Sequence, residues 1–232
     1  MKKPPRDYRI VTSPHYNIKV FDYWGDCYES IFLMFKPFFK FKLNSGYSIK
    51  KFNVERSKML KILLNECEPV RWHEIKERGS FHEYSEIDDG LNLSPDNLKN
   101  KIRLEELSEK LGILYPFEDF FSPYQVDIVQ EALKYLGYKN LCIGDEFLDT
   151  EEAKILNIDL ESDNLIFTSN IYSKDNKILF TSPYDMRYSF ICSERKMIEE
   201  IKDKFCIEGF FCNANTATWW SRKSSEVERF EE

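Results

Sequence analysis

The chain has 232 residues, of which 42% are hydrophobic, 16% aromatic and 31% charged, and its net charge is −7. That length supports a substantial core, and that composition excludes a disordered chain. Six cysteines without a C-x-x-C pair, 8 Gly, 9 Pro and no apolar run longer than Ile31 to Phe35 argue against a disulfide scaffold, a turn-rich all-β design and a membrane span.

Residues 1–14 read as an irregular basic arm, because Pro4, Pro5 and Pro14 interrupt regular structure. Asp26 followed by Glu29 predicts a helix whose apolar face is Tyr28, Ile31, Phe32 and Phe35, ended by Pro37. Phe39, Phe41 and Leu43 alternate with Lys40 and Lys42, the period of a half-exposed strand. A helix follows near Arg56 to Cys67, with Met59, Leu60, Leu63 and Leu64 as its stripe. Ser80 and Glu83 form a capping box before Phe81, Tyr84, Ile87 and Leu91. Ser94-Pro95 opens a helix over Leu98, Ile102, Leu107 and Leu111 that Gly112 closes. Ser122-Pro123 opens another over Val126, Val129, Leu133 and Leu136, closed by Gly137.

Leu141-Cys142-Ile143 is a short buried strand ending in Gly144-Asp145-Glu146. A hairpin starts at Leu165 and turns at Ser173-Lys174-Asp175-Asn176 into Lys177 to Thr181. Met186, Tyr188, Phe190 and Cys192 alternate as a further strand. Ser193 caps a helix that buries Met197, Ile198, Ile201 and Phe205, and Ile207 to Cys212 is the last strand. These elements give an α+β fold: a helical N-terminal and middle part packed on a small, mainly antiparallel C-terminal sheet. The expected organisation is one domain over residues 1–232, with an arm at 1–14, a mainly helical part at 15–137, a strand-rich part at 138–220 and a flexible tail at 221–232. No secretory signal pattern occurs in the first 30 residues, and the scattered cysteines fit reduced core thiols, so the expected location is the cytoplasm.

No catalytic motif stands out. His73-Glu74 and His82-Glu83 each begin like H-E-x-x-H, but Glu77 and Glu86 stand where the second histidine belongs; with His15 alone besides, no metal site is expected. Ser193 to Lys196 matches S-x-x-K without its companion motifs, so the serine reads as a cap. Cys212 lies in an apolar strand and reads as a buried thiol. Phosphate-binding glycine loops are absent, and no cofactor is expected. Asp145 and Glu146 end a buried strand, a place that suits either acid–base chemistry or a turn. Between Lys36 and Lys61 stand eight basic residues and one acid, interleaved with aromatics. That mixture suits nucleic acid, but its strict alternation favours a strand with rings inward and lysines in water. Asn213, Asn215 and Thr216 lie between Phe210-Phe211 and Trp219-Trp220, which suits either a protein-binding edge or a domain end clamped by its own aromatics.

Four segments together resemble the bacterial domain-of-unknown-function family DUF2711: Pro69-Val70-Arg71-Trp72, Leu114-Tyr115-Pro116 with the Gln125 helix, Gly144-Asp145-Glu146-Phe147 and Gly209-Phe210-Phe211-Cys212. The resemblance spans about Pro69 to Trp220. It implies a family tail with acids after the cysteine, then a threonine, a histidine and a tryptophan; here Asn213, Asn215, Thr216, Thr218 and Trp219 stand there. The family implies no activity. The tail and its hairpin are also similar in style to immunity proteins of bacterial toxin systems, an analogy of form alone.

The functional expectation is a non-catalytic, immunity-like protein-binding protein whose acidic body meets a basic protein partner, with binding residues Asp145, Glu146, Asn213, Asn215, Thr216, Trp219 and Trp220. The alternative is an enzyme or small-ligand binder using Asp145 or Glu146 beside an aromatic pocket. Weak nucleic-acid binding through Lys36 to Lys61 ranks third.

Overall fold

The structure, a computed structural model, describes residues 7–14, 18–47, 62–92, 98–118, 121–144 and 169–218, and the backbone of 151–155. Their order is a 3-10 turn (Tyr8–Ile10), α1 (Val20–Trp24), β1 (Ser30–Phe35), β2 (Phe38–Phe41), β3 (Cys67–Val70), α2 (Trp72–Arg78), α3 (Tyr84–Leu91) and α4 (Leu98–Leu111). Then come β4 (Ile113–Leu114), α5 (Pro123–Tyr135), β5 (Asn140–Gly144), β6 (Glu151–Ile155), β7 (Asn170–Tyr172), β8 (Leu179–Thr181), β9 (Tyr188–Ser193), α6 (Arg195–Lys204) and β10 (Gly209–Phe211). The fold is α+β. Two compact units emerge, one drawn from Met1–Phe35, Glu118–Phe121 and Gln125–Thr218, the other from Lys36–Phe117 and Ser122–Tyr124.

In the first unit seven strands form an antiparallel sheet in the order β10-β1-β9-β8-β7-β5-β6. The expected helix from Asp26 is instead β1, inserted between the two strands that flank α6 in sequence. All six β1 residues are buried. Phe32 and Met34 enter the core formed by Val126, Val129 and Leu133 of α5 and Ile198 and Ile201 of α6. Ile31, Leu33 and Phe35 turn to the opposite face, beside Cys192, Phe190 and Tyr188 of β9. A strand buried on both faces is a continuous apolar run, so its spacing also satisfies a helical stripe. The sheet is thus not confined to the C-terminal part, and β1 to β4 all precede residue 137.

On the second face Trp24 packs edge-on against Phe190, ring centroids 5.2 Å apart. Its indole N–H is shared between the carbonyls of Arg9 (2.9 Å) and Thr12 (3.1 Å), which ties the N-terminal segment to the sheet. The β7–β8 hairpin closes at the expected turn, while its expected start at Leu165 lies outside the described residues. The Ser173 hydroxyl accepts the N–H groups of Lys177 and Ile178 and donates to Asp175 at 2.6 Å. Ser193, expected as a helix cap, closes β9 and donates to the Lys177 carbonyl at 2.7 Å; Glu194 occupies the N-cap of α6 without a side-chain bond. Gly137 takes φ +84 after α5, as a left-handed helix end requires.

The second unit pairs β3, β2 and β4 antiparallel. Phe39 is buried with Leu63 and Cys67, and Phe41 packs on them. Phe38, on the other face, meets Trp72 at 5.7 Å and Tyr115 at 6.3 Å between ring centroids. Residues 62–66 are helical, and Arg56 to Lys61 lie outside the described residues. α3 forms without the expected Ser80–Glu83 box: Ser80 is left-handed at φ +55, and the Glu86 carboxylate accepts the His82 N–H at 2.6 Å. Leu98 and Ile102, expected in the core, are exposed, while Leu104, Leu107 and Ser108 form the buried face of α4. α4 lies close against α3, where a Cβ on Gly90 would meet the Asn100 carbonyl oxygen at 2.9 Å. The Ser94-Pro95 start lies outside the described residues.

Candidate protein interface beside the last strand

Backbone demand builds the turn after β10. Asn213 Oδ1 accepts the Asn215 N–H at 2.9 Å, Thr216 Oγ1 accepts the Asn213 N–H at 3.0 Å, and the Thr216 N–H donates to the Asn213 carbonyl at 2.9 Å. Short polar side chains substitute here for a ladder that has ended. Thr216 is thereby buried and committed to structure, while Asn213 and Asn215 stay exposed. The same turn grips the N-terminal segment. Val20 donates to the Thr216 carbonyl at 2.9 Å, Thr218 donates to the Ile18 carbonyl at 3.0 Å, and Lys19 bridges Ala217.

Strand register decides what lies next to the turn. β1 and β10 pair Phe32 with Phe211, and the Cys212 N–H donates to the Ile31 carbonyl at 2.9 Å. The ladder ends at that bond, so Glu29 and Ser30 enter β1 next to the point where Asn213 begins the turn. Glu29 is exposed, as are Asp22 on α1 and Asp26 just after it. The two segments joined in this way carry five exposed acids and amides, Asp22, Asp26, Glu29, Asn213 and Asn215, together the acidic and amide strip. Arg9 braces one end, donating to Asp7 at 2.7 Å and to Asp26 at 3.3 Å. Its hydrogen bonds hold the Asp7 carboxyl below the usual carboxylate range, and Asp7 in turn raises the guanidinium.

Among the described residues β10 is the edge of the sheet. The Cys212–Ile31 and Phe35–Glu208 bonds fix the alternation, so Gly209 and Phe211 turn their backbone groups away from β1. The Arg195 guanidinium lies 3.3 Å over the Phe211 ring and locks the strand from the helix side. Gly209 is required there, because a Cβ would meet the Leu33 carbonyl oxygen at 1.9 Å.

Other sequence candidates fare differently. Asp145, Glu146, Trp219 and Trp220 lie outside the described residues, as does His15. His73 falls on α2 and His82 just before α3, and among the described residues no group of three His, Cys, Asp or Glu side chains is arranged to hold a metal. Burial pushes the Cys212 thiol up to about 12 and raises Cys192 well above its ordinary value. Neither is a thiolate nucleophile at neutral pH. In the basic segment Phe39 and Phe41 go to the core and Lys42 to solvent, where it donates to the Asn65 carbonyl at 2.7 Å. Lys36 departs from that pattern and is fully buried. Sequence reading missed the acids of the strip: nothing local links Glu29 to Asn213, and the helix assigned from Asp26 concealed the pairing that does.

The family model described as "Protein of unknown function (DUF2711)" matches residues 16–222. The chain belongs to the DUF2711 family. The match includes β1, the strip's three acids and the whole turn after β10, so the strip belongs to the family domain. No curated protein and no solved structure matches this DUF2711 chain. No helix among the described residues is long and apolar enough to cross a membrane.

Proposed function

We propose that this DUF2711 protein is a non-catalytic binding protein that docks a basic protein partner on the strip formed by Asp22, Asp26, Glu29, Asn213 and Asn215. The observation that supports this reading is the pairing of β1 with β10 and the Val20–Thr216 bond, which tie the segment bearing the exposed acids to the turn bearing the exposed amides. Acids arranged this way steer a basic surface and set its orientation, while the amides supply directional hydrogen bonds. An immunity-type role, in which a cytoplasmic protein masks a basic toxin, is the concrete form of the proposal. The test compares the tagged wild type with a D22N/D26N/E29Q/N213A/N215A variant, both recovered from the host lysate and weighed by native mass spectrometry. A stoichiometric basic polypeptide on the wild type and absent from the variant is the expected result. A bare wild-type chain, or equal recovery on both, contradicts the proposal.

A further inference from the structure

The core between the sheet and its two helices is apolar except at one end, where polar side chains collect. Continuing the β8–β9 register one step past Thr181 and Phe190 sets Ser182 directly opposite Ser189. They lie on the sheet face that carries Phe180 and Ile191, the face covered by α5 and α6. On either side of the pair stand Ser169, whose carbonyl accepts the Ser182 N–H at 2.7 Å, and Met34, which pairs with Ser189. Both serines are 0% exposed, and neither hydroxyl has a hydrogen-bond partner among the described residues. Another buried group without a partner among the described residues, Gln130 Nε2, belongs to α5. A buried hydroxyl or amide left unsatisfied is destabilising, whereas alanine at such a place carries no such penalty. Side chains that face one another across adjacent strands have Cβ atoms about 5 Å apart, so two hydroxyls that do not bond each other can share one acceptor between them.

Next to the pair lies a cation. Arg187, two residues before Ser189, has a side chain 19% exposed, and its guanidinium is held by Glu118 at 2.5 Å. Glu118 is 42% exposed and can swing into solvent. The arrangement is a partly exposed guanidinium paired with a carboxylate of the protein itself, two residues from one of two facing, buried hydroxyls that bond nothing among the described residues.

We infer that Ser182, Ser189 and Arg187 form a binding site for a small oxyanion, a carboxylate or phosphate group, which displaces Glu118 from Arg187. Hydrogen bonds to a charged acceptor contribute about 1.5–3 kcal/mol, so each serine hydroxyl accounts for about tenfold or more in affinity. The site lies on the sheet's helix-packed face, apart from the strip beside β10, and its test is independent of that reading.

The experiment measures thermal unfolding and calorimetric binding with sodium phosphate and sodium acetate, each against sodium chloride at equal ionic strength. Three proteins are compared: wild type, E118Q and S182A/S189A. The site predicts stabilisation of the wild type by one of the two anions, about tenfold or more tighter binding to E118Q, and about a hundredfold or more weaker binding to S182A/S189A. A response to phosphate alone assigns a phosphate group, and a response to acetate alone assigns a carboxylate. Removing two unpartnered hydroxyls leaves the anion-free melting temperature of S182A/S189A unchanged or higher, which shows that the variant folds. Equal responses in wild type and S182A/S189A, or no anion-specific response in wild type and E118Q, overturn the inference.

Discussion

Cys192 and Cys212 flank Ile31 from the strands on either side of β1, and both are buried. Burial disfavours the thiolate, so each thiol ionises later in the folded chain than in the unfolded one. The unfolded chain therefore loses its protons first as pH rises. The stability tied to Cys212 is complete below about 9 and is lost between about 9 and its folded value of about 12. That interval corresponds to about 4 kcal/mol. The expected outcome is a urea midpoint that falls from pH 9 to pH 11 in the wild type and falls less in C212A. Native thiol titration at pH 8 should modify the exposed Cys206 first, with Cys192 and Cys212 reacting only on unfolding. The apolar run around Cys212 made its burial legible in the sequence. The burial of Lys36 was not, because a lysine before a proline in a basic segment carries no local mark of its surroundings.

At the scale of elements, local chemistry was readable wherever it closed on itself. α5 has its proline at the first turn and its left-handed glycine after the last, and the Ser173–Asn176 turn satisfies its own backbone. β1 was not readable, because its identity comes from partners far along the chain, and the apolar run of five from Ile31 to Phe35 fits either period. The hairpin offers a pH test. Burial raises the Asp175 carboxyl, but bonds from the Ser173 hydroxyl, the Lys177 amide and the Tyr138 hydroxyl outweigh it, and the net shift is downward. Its contribution is present above the unfolded value near 3.8 and is lost as pH falls through the lower folded value. D175N should lower stability by about 1 kcal/mol or less at pH 7, given the exposure of the turn. The gap from wild type should narrow as pH falls below 3.8, as followed by melting temperature. A gap that does not change with pH would place the effect in packing.

For the whole molecule, the sequence disclosed an α+β chain and the amide half of the candidate interface. Asn213 and Asn215 stood out because they sit between aromatics; Asp22, Asp26 and Glu29 did not, because only the sheet brings them there. Charge on such a strip acts over about a Debye length, so raising salt from 50 mM to 500 mM should slow association with a basic partner more than it speeds dissociation. The most direct measurement puts a photo-crosslinking side chain at position 215 in living cells, with the exposed Glu131 position on α5 as control. The interface predicts a discrete adduct with one basic polypeptide from position 215 and none from position 131. No adduct at 215, or the same adduct at both positions, would contradict it.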